Sequence, residues 1–183
     1  MKTNAGILLP VFSLPGHHGI GDFGESCFTF IDWLSKHHYR YWQILPLNPI
    51  GDATSPYTST CSEAIDERFI SLDLLKNEGL IDEVPLYREN ATFVKYELVK
   101  NFKEKYLKEA FKKYSQTNMD GLRKFKTKNP WVIHFSTYMA FKAKNKNKPW
   151  YEWDKKEIKG YYHDCSLLFD DGRAFLVYGN RQI

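Results

Sequence analysis

The sequence predicts an α/β fold, and the order of three N-terminal segments is the main reason. Residues 6–12 (GILLPVF) form an apolar run expected to be a buried strand. Residues 22–36 carry apolar side chains at helical spacing, and residues 39–47 (YRYWQILPL) form a second apolar run. A strand, a helix and a strand in this order are typical of a βαβ unit with parallel strands. The length of 183 residues is enough for one domain with its own core.

The composition excludes several classes of protein. A hydrophobic fraction of 43% and a charged fraction of 26% are ordinary for a globular protein, so we do not expect wholesale disorder. The three cysteines, Cys27, Cys61 and Cys165, are too widely spaced for a disulfide framework or a metal-ligand pair. The N-terminus lacks the features of a signal peptide, and no apolar run approaches the roughly 20 residues of a membrane span. We therefore expect a cytoplasmic protein that does not associate with membranes.

The segment between the first strand and the first helix contains three glycines at the spacing of dinucleotide-binding loops, namely Gly19, Gly21 and Gly24. A dinucleotide site also needs its glycines directly after the strand and an acidic residue near the end of the second strand. Here SLPGHH intervenes, and the second strand ends in LPLNP. We therefore interpret the glycines as turn residues. Asp22 is predicted to cap the helix, with Glu25 completing a capping box.

The residues after the second strand form a candidate binding loop. Residues 48–63 (NPIGDATSPYTSTCSE) are rich in Gly, Pro, Asp and Ser, which predicts irregular structure. Loops at the carboxyl ends of parallel strands are where α/β folds bind ligands. Asp52, Ser55, Tyr57 and Ser59 offer a carboxylate, hydroxyl groups and an aromatic face, which together suit a sugar. The alternative is a surface loop with turn-stabilising side chains.

The rest of the chain is predicted to be mainly helical. Residues 68–80 indicate a short extended piece and a short helix, and residues 92–114 a long amphipathic helix. Further helices are expected at 118–127 and from Pro130, as the first helical residue, to about residue 144. Residues 148–153 (KPWYEW) mark a turn, and residues 167–178 resemble a hairpin with Asp171 and Gly172 as its turn. The apolar face of the long helix is predicted to consist of Tyr96, Val99, Phe102, Tyr106, Ala110 and Tyr114.

The lysines and histidines allow more than one interpretation. The lysine-rich helices suggest a nucleic-acid surface, but Glu97, Glu104 and Glu109 interrupt the run, which favours a solvated face and no nucleic-acid partner. His17 and His18 follow the first strand, where they are expected to face a cleft. No histidine pair has metal-ligand spacing, and we expect no metal.

Several short motifs occur in order and carry a family resemblance. They are GILLPVFSLPGHHGIGDFG (6–24), YWQILPLNP (41–49), SPYTS (55–59) and FISLDLL (69–75). Together they resemble the N-terminal portion of the 4-α-glucanotransferases (amylomaltases), a family of TIM-barrel enzymes, over roughly residues 5–155. The resemblance implies the N-terminal part of a (β/α)8 barrel with a helical insertion subdomain. In that scheme the first βαβ part of the barrel spans residues 1–80, the insertion 81–160 and a divergent or truncated tail 161–183.

The resemblance also implies an activity and some site residues. Enzymes of the family cut an α-1,4 bond in one glucan and pass the glycosyl part to another sugar, through a covalent intermediate formed on an aspartate. This chemistry needs no cofactor or metal. Ser55 and Tyr57 match the loop that reaches the substrate, Asp52 is a weaker candidate, and Ser13 and Pro15 are placed to shape the floor of the cleft.

The sequence departs from the family pattern in its length. A closed barrel takes about 250 residues, and no segment here matches the later strands that carry the family's catalytic carboxylates. Asp170 and Asp171 lie in a predicted turn and are not candidates. We therefore expect an N-terminal fragment that is inactive alone and that self-associates through open sheet edges. The alternative is a stand-alone glucan-binding or protein-interaction module derived from the family.

Overall fold

The computed structural model describes residues 4–50, 55–87, 92–153, 166–170 and 173–177. The chain divides into two compact units, Met1–Lys124 and Phe125–Ile183. Short 3-10 helices occur at Val11–Ser13, Glu67–Phe69 and Trp150–Glu152. The strands and α-helices, in chain order, are β1 (Gly6–Leu8), α1 (Glu25–Lys36), β2 (Tyr41–Gln43), α2 (Leu72–Asn77), α3 (Tyr96–Thr117), α4 (Met119–Lys128), α5 (Trp131–Lys144), β3 (Ser166–Asp170) and β4 (Arg173–Val177).

Strands β1 and β2 pair side by side and run parallel, as the strand–helix–strand pattern predicted. Gly6 lies opposite Tyr41, and Leu8 lies opposite Gln43. Gly6 permits this close approach, because a Cβ atom there would lie 2.8 Å from the Cβ of Tyr41. The backbone N–H of Leu9 adds one more bond, to the Gln43 carbonyl at 3.0 Å. The first βαβ unit of the chain is therefore confirmed.

Both strands are shorter and more exposed than expected. The predicted strands 6–12 and 39–47 each contain only three residues in strand conformation. Pro10 has no N–H to continue the pairing, and the chain turns into the 3-10 helix directly after it. Leu8 is 56% exposed and Tyr41 is 60% exposed, so the prediction of two buried strands was wrong. Within the described residues this sheet contains two strands, and its face with Leu8 and Tyr41 is exposed, whereas Trp42 on the other face packs against the core.

Helix α1 begins three residues later than predicted. Its N-cap is Gly24, with no capping side chain, so the predicted capping box of Asp22 and Glu25 is absent. The Asp22 carboxylate instead accepts a hydrogen bond from the N–H of Gly24 at 3.0 Å and a second one from Lys103. The carboxylate thus orders the approach to the helix and is not its cap. Cys27 and Leu34 are the buried residues of α1.

Helix α3 joins two parts of the core of the first unit. Val99 belongs to one cluster, and Tyr106 and Ala110 belong to another, which confirms most of the predicted apolar face. Tyr114 is at its exposed edge. The first cluster consists of Val11, Leu14, Ile20, Cys27, Phe69 and Val99, and the second of Leu72, Ile81, Tyr106 and Ala110.

The short helix predicted near residue 75 is α2, and Ser71 caps it by accepting a hydrogen bond from the N–H of Leu74 at 3.4 Å. The residues before it were expected to be extended and instead form the 3-10 helix Glu67–Phe69. Asp66 caps that turn, because its side chain accepts a bond from the N–H of Arg68. An aspartate two residues before the bonded N–H favours a turn over a strand.

In the second unit, α5 begins at Trp131, one residue after Pro130, which precedes the helix as its N-cap. The ring of Trp153 packs against Tyr138 and Phe141, with centroids 5.5 Å and 6.2 Å away. Its Nε1–H donates to the carbonyl of Lys148 at 2.8 Å. The KPWYEW segment is thus a turn that folds back onto α5.

Strands β3 and β4 form the predicted antiparallel hairpin, with Asp170 opposite Arg173. The predicted turn residues, Asp171 and Gly172, lie outside the described residues. In the described parts of the chain, every helix is too short or too polar to cross a lipid bilayer.

Candidate functional site

The candidate site is built from the two loops that follow β1 and β2. Because these strands are parallel, their carboxyl ends lie at the same edge of the sheet. The first loop spans residues 9–24 and leads into α1, and the second spans residues 44–66 and leads to the 3-10 helix before α2. This edge is where ligands bind in parallel α/β folds.

The predicted Ser-Pro-Tyr segment forms a tight turn. The carbonyl of Ser55 accepts hydrogen bonds from the N–H of Thr58 at 3.1 Å and from its hydroxyl at 2.9 Å. The Ser55 hydroxyl accepts a bond from the N–H of Tyr57 at 3.3 Å. Pro56 occupies the second position of the turn, where proline is favoured. The Tyr57 side chain projects outward and is 72% exposed, so its ring faces are available to a ligand.

Polar contacts close the base of this loop. The side-chain amide of Asn48 donates to the carbonyls of Ser62 and Ala64 at 2.8 Å and 2.9 Å. Ile50 and Ser59 form an antiparallel bridge across the loop. Hydrogen bonds therefore join the two ends of the loop that carries the Ser-Pro-Tyr turn.

A buried ion pair supports the same base. The Arg68 guanidinium binds both carboxylate oxygens of Asp66, with its Nε 2.8 Å from Oδ1. Oδ2 of Asp66 also accepts a hydrogen bond from the N–H of Ile50 at 3.3 Å. Burial alone would raise the pKa of Asp66, but the hydrogen bonds and charge of Arg68 outweigh it, and the pKa is lowered. Asp66 therefore stays ionised at neutral pH and continues to accept the hydrogen bond from the N–H of Ile50.

A second buried charge comes from α3. Lys103 is 1% exposed, and its Nζ donates to Oδ2 of Asp22 at 3.0 Å and to the carbonyls of Arg68 at 2.7 Å and Ile70 at 2.9 Å. Burial lowers the pKa of Lys103, and the nearby Asp22 opposes that change. The ammonium thus connects α3 to the first loop and to the segment that directly follows the second loop.

The two histidines of the first loop differ in their surroundings. His17 is exposed, and its Nδ1 lies 3.3 Å from Oδ2 of Asp73. His18 is 1% exposed and stacks on Phe102, with ring centroids 6.0 Å apart. Burial lowers the pKa of His18, so its ring is neutral at pH 7. The prediction that His18 faces a cleft was wrong, because its ring is buried against Phe102.

The glycines of the first loop serve close packing, as their interpretation as turn residues predicted. Gly19 has a φ of 81°, which side-chain-bearing residues rarely adopt. A Cβ at Gly21 would lie 2.1 Å from the carbonyl oxygen of Val11. A Cβ at Gly24 would lie 2.6 Å from the Ser71 hydroxyl. Backbone geometry therefore accounts for the spacing without a bound phosphate.

Two hollows of about 580 Å³ each open beside the first loop. Pro15 lines one of them and Ser13 the other, but neither is lined by Ser55 or Tyr57. Asp52, the third predicted sugar contact, lies outside the described residues. The roles of Ser55 and Tyr57 as sugar contacts therefore stay predictions.

Three buried charged residues of this region were missed from the sequence, namely Asp66, Arg68 and Lys103. A signal for Lys103 was present, because it lies four residues after Val99 on the apolar stripe of α3. A lysine on a buried stripe requires a nearby acceptor, although the sequence does not identify which one. Among the described residues, no three His, Cys, Asp or Glu side chains come together to hold a metal ion.

Comparisons with known proteins agree with these features. A family model described as 4-alpha-glucanotransferase matches residues 9–166. The 4-alpha-glucanotransferase of Streptococcus pneumoniae serotype 4 is 35% identical in an alignment of length 164 that covers 86% of this chain and 32% of that protein. The 4-alpha-glucanotransferase of Synechocystis sp. is 36% identical in an alignment of length 191, gaps included, that covers 98% of this chain and 35% of that protein.

A solved structure is similar as well. The amylomaltase from Streptococcus agalactiae, in complex with acarbose, superimposes with a TM-score of 0.79 at 32% sequence identity. The match covers 86% of this chain and 33% of the amylomaltase. The chain thus spans about a third of the length of the proteins that it resembles.

Proposed function

The chain belongs to the 4-alpha-glucanotransferase family, and from this premise we propose that it forms one side of a glucan-binding groove. Strands β1 and β2 are the first two strands of a (β/α)8 barrel, and the Ser-Pro-Tyr turn borders the bound sugar. Their parallel pairing and the position of the turn after β2 support this proposal. The amylomaltase that superimposes on the chain was crystallised with acarbose.

In this proposal the chain has three parts. Residues 1–80 supply the first βαβ part of the barrel with its substrate-side loop, residues 81–160 supply a helical insertion, and residues 161–183 form a divergent or truncated tail. The barrel is incomplete within this sequence. The match to about a third of the amylomaltase supports this.

The activity proposed for the complete protein is transfer of α-1,4-glucan segments between maltooligosaccharides by a retaining double displacement. An aspartate attacks the sugar, a glutamic acid protonates the leaving oxygen, and a sugar hydroxyl completes the transfer. Because no segment here matches the strands that carry those carboxylates, this chain supplies binding groups and no nucleophile. Alone it is expected to give no disproportionation of maltotriose.

The observation that carries the proposal is the exposure of Tyr57 on a closed loop. An aromatic ring held outward on a fixed turn offers a flat apolar face to the pyranose ring. The Ser55 hydroxyl lies in the same turn and provides a polar group beside it. Asp52, in the same loop, is proposed as a third contact.

Titration with maltoheptaose tests this proposal. We expect the 183-residue chain to bind the sugar and Tyr57→Ala to weaken its affinity about tenfold, since a stacking face is lost. The matched control is Tyr151→Ala, which removes another exposed tyrosine, one in the second unit. Equal affinity of Tyr57→Ala and the unaltered chain would contradict the assignment.

Exposed side chains, paired lysines and free thiols bear on the other proposed partners and on the location of the protein. Self-association through the open edges of the β1–β2 sheet is proposed because Leu8 and Tyr41 are exposed there. Nucleic acid is not proposed as a partner, because lysines of α3 such as Lys108 and Lys113 are paired with carboxylates. A cytoplasmic location is also a proposal, supported by the free thiols of Cys27 and Cys61.

A second candidate is a stand-alone module that binds glucan or another protein. The uncovered apolar residues of β1 and β2 favour it, because such a surface suits a partner chain. The maltoheptaose titration separates the two forms of this candidate. Absence of binding supports the protein-interaction module, whereas binding that Tyr57→Ala weakens is expected both for the glucan-binding module and for the first proposal.

A further inference from the structure

The buried ammonium of Lys103 is fully engaged. Its Nζ has three N–H donors, and three acceptors surround it, one carboxylate oxygen of Asp22 and the carbonyls of Arg68 and Ile70. A charge that is 1% exposed is tolerated only when it is paired and hydrogen-bonded. The acceptors therefore have a defined position relative to α3.

Helix α3 holds Arg68 at a second point as well. The guanidinium carbon of Arg68 lies 5.0 Å from the ring centroid of Tyr96, the first residue of the helix. An arginine over an aromatic face is attracted by the ring quadrupole. The helix thus fixes the backbone of Arg68 through Lys103 and its side chain through Tyr96.

Arg68 passes this constraint on to the loop. Its guanidinium binds both carboxylate oxygens of Asp66, and one of these oxygens accepts the N–H of Ile50. The N–H of Asp66 donates to the carbonyl of Leu47 at 2.8 Å. Asp66, at the end of the loop, therefore binds Leu47 and Ile50, at its beginning. The Ser-Pro-Tyr turn lies between these two ends in the sequence.

We propose that Lys103 is a positioning residue which, through Arg68 and Asp66, fixes the base of loop 48–66 and so the orientation of the Ser-Pro-Tyr turn. The path consists of three contacts, from Lys103 to Arg68, from Arg68 to Asp66 and from Asp66 to Ile50, and none of them joins two solvent-exposed groups. The anchoring depends on these contacts alone. Its consequence for sugar affinity rests on the proposed function.

The acceptors of Lys103 lie in two different segments, so their contributions can be tested separately. Asp22 belongs to the first loop, where its Oδ1 binds the N–H of Gly24. Arg68 and Ile70, whose carbonyls are the other two acceptors, follow the second loop. Asp22→Asn keeps an oxygen for Gly24 and removes the ion pair, and it leaves the two carbonyl acceptors of Lys103 in place.

Amide hydrogen exchange measured on the 183-residue chain reads the base of the loop directly. We expect Lys103→Met to speed exchange at Ile50 and Thr60 about tenfold, because their bonds to Asp66 and to the Pro49 carbonyl open more often. Asp22→Asn is expected to speed those two amides less than Lys103→Met does, because the two carbonyl acceptors of Lys103 stay in place. Lys112→Met, which removes an exposed lysine of the same helix, is the matched control.

Two outcomes would overturn the proposal. One is unchanged exchange at Ile50 and Thr60 in Lys103→Met. The other is equal acceleration at these amides and throughout α1, which would show that Lys103 acts only on global stability. If Lys103→Met does not fold, Tyr96→Leu removes the other contact of α3 with Arg68 and is expected to speed the same two amides, with unchanged exchange again contradicting the proposal.

The affinity for maltoheptaose separates this inference from the proposed function. Lys103→Met is expected to weaken binding about threefold while the α1 amides stay protected, because a looser base presents Tyr57 in more orientations. Faster exchange in a chain that binds no sugar would support the anchoring and contradict the proposed function. Sugar binding lost in Tyr57→Ala, with unchanged exchange in Lys103→Met, would do the reverse.

Discussion

At the scale of single residues, buried charges decide the shape of the candidate site. Asp66 and Arg68 are almost completely buried and bind each other through two carboxylate oxygens. Such a pair contributes little compared with a well-packed apolar pair, but the removal of one partner leaves the other charge buried and unpaired. The geometry of the loop base therefore depends on both residues being present.

We predict that Asp66→Ala lowers the free energy of unfolding by about 3 kcal/mol, because Arg68 loses its carboxylate and Ile50 loses an acceptor. Urea denaturation followed by circular dichroism measures the change. Glu63→Ala, at an exposed glutamate of the same loop, is the control and is expected to have little effect. A loss of stability no larger than in that control would contradict the role of Asp66.

His18 predicts a pH dependence of stability. Burial holds its pKa below the usual value of 6.5, so the unfolded chain takes up a proton at a higher pH than the folded chain. The groups that face His18 are Asp73 and Asp22, which favour the charged ring, and Lys103 and His17, which oppose it. The contribution is complete above pH 6.5 and is lost as the pH falls below it.

The expected result is a fall in the free energy of unfolding from about pH 7 to about pH 5 that is smaller in His18→Gln than in the unaltered chain. Denaturant titrations at several pH values provide this comparison. The lowered pKa of Asp66 acts only below pH 3.8, outside this window. Identical pH profiles for His18→Gln and the unaltered chain would refute the assignment.

At the scale of elements, the sequence predicted the helices better than the strands. The stripe of Val99, Tyr106 and Ala110 repeats over many turns, so α3 was predictable from its periodicity alone. The apolar runs around β1 and β2 indicate burial but do not identify a partner, and only three residues in each run find one. Lys103 was missed for a related reason, because its acceptors are backbone carbonyls more than 30 residues away.

The packing of α2 against α3 supplies a prediction at this scale. Leu72 is fully buried at the start of α2, among Ile81, Tyr106 and Ala110. Leu72→Ala is expected to destabilise the chain by about 3 kcal/mol, through lost apolar burial and the cavity that remains. Thermal or urea unfolding tests this, with Leu86→Ala at an exposed leucine as the control. Similar stability of the two variants would show that α2 is not part of the core.

At the scale of the whole molecule, the described β1–β2 sheet consists of two strands, and large apolar side chains on it face solvent. The chain matches about a third of the length of an amylomaltase. Open edges and uncovered apolar faces favour association with another chain. The sequence predicted both the parallel pairing of these strands and the open edges of their sheet.

We therefore expect the purified chain to associate as its concentration rises. Light scattering coupled to size-exclusion chromatography measures this, and replacing both Leu8 and Tyr41 with Lys should shift the chain toward monomer. The double substitution Phe111→Lys/Ile133→Lys places the same charges at exposed apolar residues that do not belong to this sheet and should change the assembly less. A monomer at all concentrations would contradict the prediction.

The central claim, that the loops after β1 and β2 face a glucan, is tested most directly by NMR titration of the 15N-labelled chain with maltoheptaose. The account predicts shifts of backbone resonances concentrated in residues 48–60 and near Ser13, with a smaller response in α5. Saturation of these shifts, and their loss in Tyr57→Ala, would support the proposed glucan-binding groove. Shifts confined to other regions, or no shifts at high sugar concentration, would contradict it.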